Sequence, residues 1–331
     1  MKTQTSGSTR LSSFTLEKIV KADSFGLVVA LFVIIAFFSM LNPNYFSDRN
    51  FVNILTAASL TGLICVGESM LIIGGYLDLS AGSLAAFAGV SSSLLLRAGF
   101  SAPVTILLVI AMGVIVGCVS AFFITQLRIN AFITTLAMQS ILRGFAYIIS
   151  NGEGVLITNQ LFLRLGTFRF FGLRYLSLPI VFMLIVFLIF GIVMNKTRFG
   201  REVYVVGGNP AAARLAGIST KATAYKLFII MGVLASVGGM ILAARMNTGQ
   251  PQACVGLEFD GITAAILGGV ALSGGIGSIF SSFIGLFILQ CFNNGLIMMN
   301  VQTFWQNVAK GSLLLVALSF DYLRSRQKLK G

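Results

Sequence analysis

The chain is written in long apolar runs separated by short polar breaks. Ten runs stand out, at residues 25–41, 54–73, 79–96, 103–125, 131–149, 178–194, 224–243, 259–272, 276–298 and 308–320. They are continuous rather than amphipathic stripes, as expected of helices surrounded by lipid or by other apolar helices. About 20 mostly apolar residues cross roughly 30 Å of hydrocarbon, and in lipid a helix satisfies all its backbone groups within one segment. The pattern predicts an all-α, polytopic membrane protein of about ten transmembrane helices. The eighth run is short and glycine-rich, so a broken or re-entrant segment buried in protein is expected there.

Composition leaves little room for anything else. Of 331 residues, 56% are hydrophobic, a further 36 are glycine and only 10% are charged; an ordinary soluble domain holds about 45–50% apolar residues with glycine included. The division is a polar segment at 1–24, a membrane domain at 25–322 containing one basic loop at 195–223, and a tail at 323–331. No small-residue cleavage site follows the first run, which is therefore expected to be a retained span.

Net charge is +13, but Lys and Arg gather at span ends and form no basic face with interleaved aromatics, so no nucleic-acid partner is expected. With the N-terminus in the cytoplasm, ten spans place Lys2, Arg10, Lys18, Lys21, Arg128, Lys196, Arg198, Arg201, Arg214, Lys221, Lys226, Arg324, Arg326, Lys328 and Lys330 inside. Arg49, Arg97, Arg164, Arg169, Arg174 and Arg245 fall outside. This excess favours an inner-membrane protein with both termini cytoplasmic.

There is no histidine, and Cys65, Cys118, Cys254 and Cys291 are scattered. That excludes His-based triads and the common His-containing metal sites, and no metal is expected. No Gly-x-x-x-x-Gly-Lys-Ser/Thr phosphate loop exists, so any ATP hydrolysis belongs to another chain. The chain is expected to hold no cofactor and to be no enzyme by itself.

The basic loop contains a short helix with its punctuation: Gly207-Gly208-Asn209-Pro210-Ala211-Ala212-Ala213-Arg214-Leu215-Ala216-Gly217. Asn209 suits the N-cap, Pro210 the first helical position, and Gly217 the left-handed position that ends the helix. About seven residues are not a stable helix in water. The helix docks on a partner or on its own membrane domain, or it is a capped turn joining two spans.

Polar residues inside the runs are few. Thr135, Gln139 and Arg143 recur every four residues on one helical face, with Tyr147 one turn further. They line a hydrophilic path, or they hold helices together with Arg143 snorkelling to the interface. Glu68 is a substrate acceptor or, more simply, the partner of Arg143 or Lys310. Lys310 is expected to meet a carboxylate or helix-end carbonyls. Asp78 or the Ser80 hydroxyl is expected to cap the next helix. Gly113 with Gly117 and Ala235 with Gly239 make small faces for close helix packing, and the pairs beginning at Gly268 and Gly274 permit a bend.

Four segments carry a resemblance: the basic loop; Ile72-Ile73-Gly74-Gly75-Tyr76-Leu77-Asp78-Leu79-Ser80-Ala81-Gly82-Ser83; Ala131-Phe132-Ile133-Thr134-Thr135-Leu136 continuing to Arg143-Gly144; and Glu258 followed by Gly268-Gly269, Leu272, Gly274-Gly275 and Gly277-Ser278. In order and spacing they resemble the bacterial ABC importer permeases for monosaccharides, the ribose and xylose permease family, from about residue 50 to 323. Tyr76, where that family commonly has Gly or another residue, and Glu68, at an often uncharged position, depart from it. The resemblance implies the ABC importer permease fold and a subunit that carries a small sugar across the inner membrane. It implies a second permease subunit, in a homodimer or heterodimer, a periplasmic sugar-binding protein, and cytoplasmic ABC ATPase subunits that use the ATP. It makes Gly208, Asn209, Pro210, Ala211, Ala212, Arg214, Leu215 and Gly217 the ATPase-coupling loop, and Thr135, Gln139, Arg143 and Glu68 candidates for the translocation path. The alternatives are an ion-coupled secondary transporter and a related permease for a non-sugar solute such as an amino acid.

Overall fold

A computed structural model describes residues 23–328; the expectations on Lys2, Arg10, Lys18, Lys21 and Lys330 lie outside them. In chain order the elements are α1 (Asp23–Leu41), α2 (Asp48–Ile73), α3 (Ala81–Arg97), α4 (Ala102–Thr125), α5 (Ala131–Ser150), β1 (Val155–Leu156), α6 (Gln160–Thr167), α7 (Leu178–Lys196), α8 (Arg198–Gly208), α9 (Pro210–Leu215), α10 (Thr220–Met246), β2 (Thr248–Gly249), α11 (Leu257–Leu267), α12 (Ile279–Met298) and α13 (Thr303–Lys328). Every apolar run has become a helix. Six of these (α2, α4, α5, α7, α10 and α12) are long and apolar enough to cross a membrane, while the apolar part of α1 and α3 are shorter. The protein is a helical, polytopic membrane protein.

The eighth run ends sooner than its apolar residues do. Its helix, α11, stops at Leu267, where Gly269, Gly274 and Gly275 adopt left-handed backbone and turn the chain. Eleven residues span about 16 Å, half the hydrocarbon thickness. For the same reason α12 starts at Ile279 rather than at 276.

Two connections hold helices that the hydrophobic pattern did not reveal. In the basic loop, α8 precedes α9; it is capped by Thr197, whose hydroxyl accepts the Gly200 N–H at 3.3 Å, and carries an Arg198–Glu202 pair at 2.9 Å. The 150–177 stretch contains α6, capped by Asn159 through the Phe162 N–H at 3.1 Å. It also contains β1, which pairs antiparallel with β2 (Val155 opposite Gly249, Leu156 opposite Thr248).

The core forms around α2 and α10. From Thr61 to Ile73 every residue of α2 is buried, against α7, α10, α11 and α12. On α4, a Cβ added at Gly113 or Gly117 would run into the backbone of Gly232 or Phe228 on α10, and one added at Gly239 would strike Ala85 on α3. Small residues thus let these helices approach backbone to backbone, which is how helices associate in lipid. Hydrogen bonds tie α2 to α12: Asn50 Nδ2 to Asn294 Oδ1 at 2.8 Å, Gln290 Nε2 to Thr61 Oγ at 3.0 Å, and Ser69 Oγ to Ser282 Oγ at 2.9 Å.

Lys310 on α13 finds the carboxylate expected of it, donating to Asp260 Oδ2 on α11 at 2.9 Å. Lys310→Met leaves that oxygen without its charged donor and should cost about 2 kcal/mol. A lowered Tm of the purified protein, partly restored by adding Asp260→Asn, is the expected result; an unchanged Tm contradicts it.

Candidate functional site

The chain breaks twice inside the protein. At the end of α2, Gly74 and Gly75 reverse the chain, and residues 76–80 run back along the helix they have just left. The Asp78 N–H points at Glu68 Oε2 at 3.5 Å, and the Tyr76 ring meets Phe228 edge-on at 5.8 Å. Asp78 Oδ1 accepts from the Ser80 N–H at 2.8 Å and from the Ser80 hydroxyl at 2.6 Å. Ser80 is the N-cap residue of α3, but its side chain makes no cap bond because it is spent on Asp78. As a result α3 begins among buried residues, Ala81, Gly82 and Ser83, rather than at a surface.

The second break follows α10. Gly249 of β2 lies against the backbone of Gly89 and Val90. From there residues 250–256 lead inward to α11, whose first turn carries the buried Glu258. The starts of α3 and α11 meet: a Cβ on Gly82 would collide with the Glu258 carboxylate and the Cys254 carbonyl. Glu258 therefore sits between two helix N-termini, where free N–H groups and the helix dipoles favour negative charge.

The polar face of α5 clamps both breaks. Arg143 Nη1 donates to the carbonyls of Pro251 at 2.6 Å and Ala253 at 2.7 Å. Gln139 Nε2 donates to Glu258 Oε1 at 2.8 Å. The Thr135 hydroxyl donates to Ala131 O at 3.0 Å and lies 3.4 Å from Leu77 O. Arg143 is thus engaged by backbone and does not snorkel, and Tyr147 is exposed, outside the cluster. Glu68 pairs with neither Arg143 nor Lys310. It faces Asp78 instead, because Arg143 is taken by residues 251–253 and Lys310 by Asp260. Glu68 Oε1 and Glu258 Oε2 are buried without a hydrogen-bond partner. Two buried carboxylates with a free acceptor each, the second held by Gln139, are groups that can receive hydroxyl donors.

The second feature lies in the basic loop. Asn209 Oδ1 accepts from the N–H groups of Ala211 and Ala212, both at 3.0 Å. At the other end the Ile218 N–H bonds Ala213 O at 2.9 Å, the Gly217 N–H bonds Arg214 O at 3.0 Å, and Gly217 takes φ +75°. This is a Schellman closure, which satisfies the last free carbonyls. Only Ala213 of α9 is buried. Ala211, Ala212 and Arg214 are exposed, and Leu215 is 91% exposed. Arg214 also helps line a cleft of about 480 Å³ with Tyr76, Thr125, Arg128 and Lys221.

One joint connects the two features. A Cβ on Gly207, in the last turn of α8, would fall on the Ile73 carbonyl at the end of α2, and that carbonyl already accepts the Gly275 N–H at 2.8 Å. Gly274 and Gly275 lie directly against Gly207 and Gly208, and the Tyr204 hydroxyl donates to Gly277 O at 2.9 Å. The end of α8, the first break and the loop after α11 therefore share one backbone-to-backbone contact. Glycine pairs at both places were visible in the sequence; that they are each other's partner was not.

The sequence profile described as branched-chain amino acid transport system / permease component matches residues 50–318. The L-arabinose ABC transporter permease protein AraH of Azospirillum brasilense is 37% identical over 303 residues, covering 92% of this chain and 88% of that one. The L-arabinose transport system permease protein AraH of Escherichia coli (strain K12) is 38% identical over 319 residues, 96% and 95% of the two chains. The ribose import permease protein RbsC of the same strain is 37% identical over 298 residues, 89% and 92%. No solved structure matches the chain.

Proposed function

The chain belongs to the family of branched-chain amino acid transport system permease components, and from that membership we infer what it does. It is the membrane-spanning permease subunit of an ATP-binding-cassette importer that moves a small sugar across the inner membrane. The family's description names amino acids, but the full-length relatives carry L-arabinose and ribose in their names, and a pentose is the cargo this favours. The reconstituted importer should accumulate labelled L-arabinose or ribose and not leucine; the reverse overturns the sugar assignment.

In this reading the nucleotide is bound and hydrolysed by a separate ATPase subunit, a substrate-binding protein delivers the sugar, and a second permease subunit completes the path. The observation that supports an ATPase contact is α9: a helix too short to stand alone, capped at both ends, with Leu215 presented as an apolar knob. Its movement would reach the first break and the loop after α11 through the Gly207–Gly275 joint, and from there the polar centre around Glu258. Ten crossings follow if the turns at 250–256 and α11 together count as one inward passage. The basic residues around α9 support a cytoplasmic position for it.

Two measurements test this reading. Leu215→Asp should insert normally, because the side chain is almost fully exposed, yet lower ATPase co-purification by about tenfold, the effect of a lost interface anchor. Undiminished co-purification would remove α9 from the ATPase contact. In a chain lacking the four native cysteines, Arg214→Cys should be protected from an impermeant thiol reagent added outside, and Arg164→Cys should react. Labelling at 214 from outside reverses the orientation.

A further inference from the structure

We propose that the end of α2 remote from α9 binds one anionic phospholipid, its phosphodiester held by arginines and an acyl chain laid in an adjoining apolar groove. Two cavities meet there. The first, about 320 Å³, is lined by Arg49, Arg169, Arg174 and Arg245 with a single acid, Asp48. The only ion pairs among the described residues are Arg198–Glu202 and Lys310–Asp260, so none of these four guanidiniums is paired with a carboxylate. Arg245 reaches only the Thr56 carbonyl, at 3.5 Å. Four cations against one anion make a site for a phosphate, which guanidinium groups bind in a forked geometry.

The second cavity, about 470 Å³, is lined by Leu31 and Ile35 of α1, Phe46, Phe51 and Ile54, and Phe287 of α12. It is apolar and shares Asp48 with the first. The first two turns of α2 separate them, with Arg49, Val52 and Asn53 on one side and Phe51 and Ile54 on the other. Aromatic residues surround the junction. Phe168 and Phe170 pair edge to face at 5.0 Å, Tyr175 lies 6.4 Å from Phe51, and Phe171 is 92% exposed. Tyr175, with an apolar ring and a polar hydroxyl, is the kind of side chain that sits at the headgroup level of a bilayer. A free phosphate or an acidic protein surface would account for the arginines alone; a molecule with a phosphate and a hydrocarbon tail accounts for both cavities.

The test uses the purified full chain equilibrated in micelles with equal amounts of phosphatidylglycerol and phosphatidylcholine of matched chains, with bound lipid counted by native mass spectrometry. One phosphatidylglycerol should be retained with a preference of about tenfold, well within what several surface cations supply. Replacing Arg49, Arg169, Arg174 and Arg245 together by Gln should abolish the preference, since all four are exposed and removable without disturbing packing. Ile35→Trp, or Leu31→Trp should the first not accumulate, fills the groove and should release the lipid while leaving the arginines in place. Equal retention of both lipids by the unaltered chain overturns the proposal, as does a preference that survives the loss of all four arginines. Displacement by millimolar inorganic phosphate, with the groove variants indifferent, would assign the cleft to a free anion instead. If the four-Gln variant keeps its phosphatidylglycerol but loses stimulation by the binding protein, the arginines face an acidic protein and the lipid assignment fails.

Discussion

Gly207→Val should cut coupled sugar uptake at least about tenfold without removing the permease from the membrane or from its ATPase. The added Cβ lands on the Ile73 carbonyl, which is backbone and cannot rotate away as a flexible side chain would. That carbonyl also accepts the Gly275 N–H, so α8 must lift off and the joint must open. Overpacking of this kind costs about 1–3 kcal/mol, occasionally more, and here it falls on the backbone contact that joins the end of α8, beside α9, to the first break and to the loop after α11. The exposed face of α9 is untouched, so the ATPase should still bind but hydrolyse ATP without moving sugar. Gly208→Ala is the matched control. A Cβ there meets only the Gly275 Cα, at 3.9 Å, and uptake should stay close to the unaltered level. Gly217→Val is intermediate, because φ +75° strains any β-branched residue by about 1–2 kcal/mol but the surrounding space is open. Uptake and ATP hydrolysis measured on the same proteoliposomes decide it. Full coupling in Gly207→Val would mean that the joint transmits nothing.

The ten helices were legible because lipid leaves a chain no other way to satisfy its backbone. The boundaries of α9 were legible for a local reason: Asn209, Pro210 and Gly217 each act within four residues of themselves. What escaped depends on distant parts of the chain. Gln139 and Glu258 are 119 residues apart. The four-residue spacing of Thr135, Gln139 and Arg143 told which residues share a face but not what that face meets. Glu68 was matched to the wrong partners because segment 76–80 folds back beside it, and a hydropathy pattern does not carry that reversal. The short helices α6 and α8 escaped for another reason: lying between spans, they need no long apolar run, and only their caps, Asn159 and Thr197, announced them.

Gln139→Leu separates the two roles open to the polar centre. Gln139 supplies the one side-chain hydrogen bond to Glu258, whose other oxygen has none. Removing it strands a buried carboxylate, at about 1–3 kcal/mol for the lost partner. Gln139 is only half-buried, so a leucine of similar length fits and the protein should still reach the membrane. Uptake should fall at least about tenfold, since the groups proposed to receive sugar hydroxyls are then misplaced. Thr135→Val should do much less, because the Thr135 hydroxyl is already satisfied one turn back at Ala131 O. The deciding variant is Gln139→Leu combined with Glu258→Leu. Replacing both members of a buried hydrogen bond by apolar groups is nearly neutral for folding, so membrane level and Tm should recover from any loss in the single variant. If the pair only glues α5 to α11, uptake recovers with them. If Glu258 receives the sugar, uptake stays lost in a protein as stable as the original, and that is the expected result.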